Sequence, residues 1–412
     1  MSSIWASNRA ALKINDSIKM FANRGIEIFQ DSIGSTNITC CKNFDNSGLY
    51  IADRAFVLLD GFVYDTTPQD IANSLTGSIG NLLEVVNTIN GDYALFVETE
   101  DFYAAVVDPW GSKNLWINVE GKHISVSSSI DAMKVHHTHG YLIGSNTVLV
   151  IQKNDFTIKK YSTKHWNLKQ HVNHYDYVFA AIENSVTRRY NKSSIVPLSS
   201  GYDSGVIACA LSNLGHVEFS VSLKKIEDDM DEDIKVLAER IKTHKGFILN
   251  SSNRMTDEEV NDLSVYLHPG LFSPACESWA RICKHMKSIG KHNILSGNGG
   301  DELYSDYGYR SKQLGEKSLF GGHFPVNLEL IWPWHDYLHR QTKPISRLDF
   351  LAGYFGIQHK EPLLDIELVQ AWLNTTSDLK NRSYKNWMYE YMLQSNYPIS
   401  VDKKIGTKLN QN

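Results

Sequence analysis

The spacing of apolar positions changes part-way along the chain. Up to about residue 165, short strand-like runs such as Ala55-Phe-Val-Leu-Leu59, Tyr93-Ala-Leu-Phe-Val97 and Tyr103-Ala-Ala-Val-Val107 alternate with Gly, Asn and Asp turns. That rhythm predicts alternating strands joined by tight turns. From about residue 170 onward, strand-like and helical periods take turns, as where the run Ile195-Val-Pro-Leu198 precedes a helical stretch that reaches Leu211. This order predicts a parallel α/β sheet. A chain of 412 residues exceeds what one core usually holds, so two domains are expected, residues 1–165 and 170–412, with a linker near Ser162 to Asn173.

Composition narrows the function classes. A net charge of −5 gives no support for a general nucleic-acid surface. No apolar run is long enough to span a bilayer and no signal-peptide pattern follows Met1, so a soluble cytoplasmic protein without a membrane partner is expected. Five cysteines, at 40, 41, 209, 276 and 283, form no Cys-X-X-Cys pair, which weighs against a zinc site and a disulfide framework.

Chemistry concentrates in two loops. The stretch Ile195 to Leu211 reads as a buried strand, a polar loop and the first turns of a helix. Small residues at Ser199, Ser200 and Gly201 let a ligand approach the backbone, the helix start presents free N–H groups, and the Ser199 and Ser204 hydroxyls add donors, as a phosphate site requires. Asp203 supplies an oxygen ligand for Mg²⁺. The fixed-spacing loop ending in Gly-Lys-Ser/Thr is absent. A second stretch, Asn293 to Tyr307, again follows an apolar run with Ser296-Gly-Asn-Gly-Gly and acidic residues, and its Asp301 lies 98 residues after Asp203. Two such loops at strand ends in one sheet suit a grip on one Mg-ATP.

The first loop resembles the pyrophosphatase motif Ser-Gly-Gly-X-Asp-Ser, and the second, Leu295-Ser-Gly-Asn-Gly-Gly-Asp-Glu302, resembles that of the asparagine synthetase B family. Glu361-Pro-Leu-Leu-Asp365 and Lys403-Lys-Ile-Gly-Thr407 resemble two later segments of that family. The resemblance implies an α/β protein with an N-terminal α-β-β-α Ntn-hydrolase-like sandwich and a C-terminal ATP-pyrophosphatase domain. It implies ATP contacts from Leu198, Ser199, Ser200, Gly201, Asp203, Ser204, Val221, Ser296, Gly297, Asn298 and Gly299. Mg²⁺ would sit on Asp203 and Asp301, with Lys404 as the lysine that stabilises charge during adenylation and amidation. Glu302 would brace the metal ligands or serve as an ordinary acid at a helix start.

The N-terminal half keeps family turns and changes its chemistry. Leu59-Asp-Gly-Phe-Val-Tyr-Asp65, Asn90-Gly-Asp-Tyr-Ala-Leu-Phe96 and Asp108-Pro-Trp-Gly-Ser-Lys113 resemble scaffold motifs of the glutamine amidotransferase domain. Its nucleophilic cysteine is Ser2 here, and its Asn-Gly-Glu glutamine clamp has become Asp60, Gly61 and Phe62, while Asp92 matches a binding residue and suits a turn equally well. Asn298 stands where the family carries a glutamate. These departures imply an AMP-forming ligase without its own glutaminase, as in β-lactam synthetases and lasso-peptide cyclases. Its partners would be a small-molecule or peptide carboxylate and either ammonia or an organic amine, with a homodimer left open. Two alternatives stand beside it: asparagine synthesis from free ammonia, and a nonenzymatic scaffold, which Ser200 in place of a glycine keeps alive. Among other features, His136-His-Thr-His139 reads as an exposed cluster more than a metal set, the Trp332 and Trp334 run as a pocket wall or packed loop, and Arg188 and Arg189 as a helix C-terminus.

Overall fold

A computed structural model of the chain describes residues 3–8, 27–33, 36–42, 47–129, 133, 140–223, 232–249, 255–266, 274–305, 323–334 and 342–399. The chain divides into two compact units, Met1–His165 and Trp166–Asn412. The protein is mixed α/β, with antiparallel sheets in the first unit and a parallel sheet in the second.

The first unit stacks two six-stranded sheets. One contains β1 (Ser3–Ser7), β2 (Glu27–Ile33), β3 (Thr36–Lys42), β8 (Trp116–Glu120), β9 (His123–Ser127) and β10 (Tyr141–Leu142), in the order β10-β8-β9-β1-β3-β2. The other contains β4 (Gly48–Ile51), β5 (Ala55–Tyr64), β6 (Asn90–Thr99), β7 (Phe102–Val107), β11 (Thr147–Gln152) and β12 (Ile158–Tyr161), in the order β12-β11-β7-β6-β5-β4. Ile4, Ile38, Ile124 and Val126 of the first sheet pack onto Phe56, Leu58, Phe96 and Ala105 of the second. The alternate residues Val57, Leu59, Leu95 and Val97 point the other way and pack against Ile71, Leu75, Leu82 and Val86 around the helices Pro68–Ser74 and Ile79–Thr88.

The expected alternation therefore fails at the centre: every residue of β5 and of β6 is buried. A sheet covered on both faces selects continuous apolar runs, because both sides of the pleat leave water. The helical layer expected on the far face of the first sheet lies outside the described residues.

In the second unit β13 (Ser194–Pro197), β14 (Ser220–Leu223), β15 (Phe247–Leu249), β16 (Asn293–Leu295) and β17 (Gln358–Lys360) are all parallel, in the order β15-β14-β13-β16-β17. The chain runs outward from β13 to β15 and then returns to place β16 on the other side of β13. The boundary between β13 and β16 is thus the topological switch point, where open α/β sheets form a crevice at their carboxyl ends. Ile195, Val221 and Ile294 pack with Ile282 and Met286 of the helix Pro274–Ser288 and with Ala352 of the helix Thr342–Tyr354.

The opposite face is pinned by charge. Asn293 Nδ2 donates to Arg189 O at 2.9 Å, fixing the end of the helix Asp176–Arg189 against the sheet. Arg189 and Asp365 form an ion pair at 2.6 Å with both side chains fully buried. Asp365 also caps the helix Ile366–Asn374 through the Glu367 N–H at 3.0 Å, and Arg188 reaches Glu367. Arg188 and Arg189 thus hold two helices together. Replacing Asp365 by alanine leaves a buried guanidinium without its carboxylate, and stability falls by about 3–5 kcal/mol in a denaturant melt. Asp365→Asn, which keeps a cap acceptor, falls less.

Candidate functional site

The first loop leaves β13 at the switch point. Leu198 N–H donates to Val221 O at 2.8 Å and Leu198 O accepts from Ser222 Oγ at 2.8 Å, so the loop starts in register with β14. Ser199 N–H donates to Ser204 Oγ at 3.0 Å, the two hydroxyls of Ser199 and Ser204 lie 2.9 Å apart, and Gly201 N–H donates to Ser199 Oγ at 3.2 Å. Gly201 is the N-cap of the helix Tyr202–Asn213 and supplies no side-chain cap. The helix start therefore points its positive end at the loop, which favours an anion there. Ser200 is 0% exposed. Its hydroxymethyl group lies inside the protein, not on the open side of the loop.

The second loop leaves β16 beside it. Ser296 N–H donates to Lys360 O at 2.9 Å, Asn298 N–H donates to Ser296 Oγ at 3.3 Å, and Gly299 turns the chain at φ 91°. Two further glycines make room for Asp203. A Cβ on Gly300 would lie 2.0 Å from Asp203 Oδ1, and one on Gly297 would lie 2.9 Å from Asp203 Cβ. The run Gly297-Asn-Gly-Gly300 is thus required by contact between the loops as much as by any ligand.

A residue absent from the sequence expectations completes the site. Lys385, the N-cap of the helix Asn386–Gln394, places its ammonium between the carboxylates: Nζ is 2.6 Å from Asp301 Oδ1 and also donates to Asp203 Oδ1. Tyr384 OH donates to the same Asp301 oxygen. Burial opposes the Lys385 charge, but the Asp203 and Asp301 carboxylates outweigh it and hold its pKa well above the usual lysine value. No motif marks Lys385. The signal for it was chemical, since two carboxylates brought together away from bulk water need a cation.

Other expected residues sit as follows. Glu302 lends its carbonyl to Trp334 Nε1 at 2.7 Å. Trp334 packs edge-on against Trp332, Phe324 and Trp372, so this aromatic run buttresses the second loop from behind. Ser2, His136 to His139 and Lys404 lie outside the described residues.

In the first unit, Phe62 pairs in register with Asp92 across β5 and β6. Asp92 is fully buried and accepts from Tyr64 OH at 2.8 Å. Lys113 Nζ lies 5.9 Å from the Phe62 ring centroid. Asp108 organises its turn by accepting from the N–H groups of Tyr93, Trp110 and Ser112. Burial raises the Asp108 pKa to about 7, with Asp92 adding to the rise and the Ser112, Trp110 and Tyr93 donors opposing it.

Residues 179–348 match the family described as Asparagine synthase. The matched span is less than half of the chain and holds both loops. It supports an ATP-dependent amide-forming ligase in general. No curated protein matches the sequence. Among solved structures, the "allosteric regulatory enzyme of purine biosynthesis" aligns at 10% identity over 61% of this chain and 74% of its own, with a TM-score of 0.28. The glutamine phosphoribosylpyrophosphate amidotransferase from B. subtilis, complexed with ADP and GMP, aligns at 10% identity over 71% of this chain and 80% of its own, with a TM-score of 0.30. Both superpositions are loose, and the fold stands on the strand order above.

Two substitutions test this geometry. Gly300→Ala drives a methyl group into the Asp203 carboxylate, so the loops part and Mg-ATP affinity drops by at least about tenfold in calorimetric titration. Lys385→Met leaves two carboxylates facing each other and lowers stability by about 3–5 kcal/mol at neutral pH. Added Mg²⁺ raises the melting temperature of that variant more than that of the wild type, because a cation again occupies the position between Asp203 and Asp301.

Proposed function

We propose that the protein is an AMP-forming carbon–nitrogen ligase that activates a substrate carboxylate with ATP and passes the acyl group to ammonia or an organic amine. The observation that carries this reading is the convergence of Asp203 and Asp301 on one cationic atom, beside an uncapped helix start at the switch point. A binding module has no use for two carboxylates, one buried and one largely covered, aimed at one point. The same donor set suits Mg²⁺, with Asp203 and Asp301 supplying carboxylate oxygens while phosphate and water oxygens complete the shell. When bound, Mg²⁺ would neutralise the charge of the departing pyrophosphate.

The chain's own groups would then act in order. The N–H groups at the start of the helix Tyr202–Asn213 and the hydroxyls of Ser199 and Ser204 hold the β- and γ-phosphates. The nucleotide's path would run over the ends of β13, β14 and β16, along the backbone of Leu198, Gly201, Val221, Ser296, Gly297, Asn298 and Gly299, with Ser200 turned inward. The substrate carboxylate attacks the α-phosphorus, pyrophosphate leaves, and the amine displaces AMP, with Lys404 stabilising the oxyanion. Lys385 adds a fixed positive charge at the carboxylate pair.

The amine source follows from the first unit. Phe62 places a buried ring where a glutamine clamp needs a carboxylate, and Asp92 is engaged by Tyr64. That pairing supports an enzyme without glutaminase activity. The inward Ser200 side chain counts against the scaffold alternative, which rested on a blocked loop.

The test is nucleotide product analysis with Mg-ATP, a pool of carboxylates and hydroxylamine as amine, beside Asp301→Asn. AMP and pyrophosphate, lost in the variant, are expected. ADP and phosphate overturn the mechanism. Absence of both turnover and ATP binding selects the scaffold.

A further inference from the structure

We infer that Arg240 is a positioning residue that aims the backbone of the first loop at phosphate, an inference that rests on the proposed ATP site and deepens it. Arg240 lies on the helix Glu232–Thr243, which contributes no residue to either motif, and it is 0% exposed. Its Nη1 donates to Ser199 O at 2.7 Å and to Gly201 O at 2.9 Å. Its Nε donates to Pro398 O at 2.8 Å. One guanidinium thus grips both ends of the loop and the chain that leads, six residues on, to Lys404.

Peptide planarity turns this grip into a functional statement. In a trans peptide the C=O and the following N–H point in opposite directions. Holding Ser199 O and Gly201 O against the buried arginine therefore turns the N–H groups of Ser200 and Tyr202 away from it. Tyr202 is the first residue of the helix, and first-turn N–H groups are the ones that face a phosphate held at a helix start. The arginine also sets a full positive charge behind the loop, in an interior where charge is weakly screened. A single ammonium cannot span these two carbonyls and Pro398 O from separate nitrogens, as the planar guanidinium does with Nη1 and Nε.

The packing around the guanidinium is built to hold it still. A Cβ on Gly205 would lie 2.7 Å from Arg240 Nη1, so glycine at this helical position makes space for the arginine. On another side the Tyr397 ring centroid is 5.4 Å from the guanidinium carbon. His244, in the turn just after the helix, reaches Tyr397 OH at 3.2 Å and Ser220 Oγ at 3.0 Å. Burial, with Arg240 adding to it, pushes the His244 pKa down to about 4, so this neighbour stays neutral and brings no second charge at physiological pH.

The experiment compares phosphate affinity with nucleoside affinity on the full-length protein. Wild type, Arg240→Lys and Gly205→Ala are titrated with Mg-ATP, with pyrophosphate and with adenosine, and Tyr397→Phe serves as a packing control. The expected result is a Kd for ATP and for pyrophosphate raised at least about tenfold in Arg240→Lys and Gly205→Ala, with adenosine affinity unchanged. Tyr397→Phe should keep all three affinities within about twofold while its melting temperature falls. Equal losses for adenosine and pyrophosphate, or wild-type pyrophosphate affinity in a folded Arg240→Lys, overturn the inference. Should Arg240→Lys not fold, Gly205→Ala decides alone, since it keeps the arginine and only displaces it. A wild type that binds neither ATP nor pyrophosphate sinks the ATP site itself, a failure distinct from that of the arginine.

Discussion

Two carboxylates that converge on one buried ammonium set the constraint that the rest of the second unit obeys. Asp203 and Asp301 belong to different loops, and like charges this close repel strongly unless a cation joins them. Lys385 supplies that cation from a backbone position at φ 49°, a left-handed conformation that costs a non-glycine residue energy. The cost is borne locally because the neighbouring parts converge on it. The switch point brings the ends of β13 and β16 side by side, Gly297 and Gly300 remove the side chains that would keep the loops apart, and the helix Asn386–Gln394 starts where the ammonium is needed.

The same arrangement explains why a ligand suits the site. A buried ion pair of this kind contributes little net stability compared with packed apolar residues. Its chemical value is that the cationic partner is exchangeable in kind: the two carboxylates that hold an ammonium here are the donors a hard divalent ion would take. On the ligase reading, Lys385 and a phosphate-bound metal would act on the same two carboxylates.

Much of this was legible in the sequence, and the limits have physical reasons. Both loops announced themselves because small residues, hydroxyls and carboxylates cluster within a few positions, which placed Asp203 at a helix start, while Val221 in β14 was placed through the family resemblance. Lys385 could not, since a lysine among aromatic residues carries no pattern and its meaning depends on two carboxylates far away in the chain. Arg240 was hidden for a related reason, as it sits in an acidic amphipathic helix and acts on carbonyls, which every residue has. In the first unit β5 and β6 were found as strands, but their burial on both faces depends on the helices that cover them. Arg189 was correctly read as a helix end, while its fully buried partner Asp365, in a separate motif, became visible only in three dimensions.

Asn298 gives the proposed reaction its remaining direction. Its backbone is fixed by Ser296, yet its side-chain Nδ2 is buried with no hydrogen-bond partner among the described residues. An unmet donor of this kind costs about 1–3 kcal/mol, and a ligand oxygen placed there recovers it. A carboxylate at this position would attract an ammonium and accept its proton, whereas the Asn298 amide donates and cannot act as a base at neutral pH. The site therefore favours the oxygen of a phosphate or of an activated acyl group over a charged amine. On the ligase reading, the amine has to reach the acyl-adenylate already neutral, or lose its proton to a group outside the second loop. Either requirement separates this chain from an enzyme built to receive ammonia beside a glutamate, and it places the choice of amine with the residues that bind and desolvate it, not with the nucleotide loops.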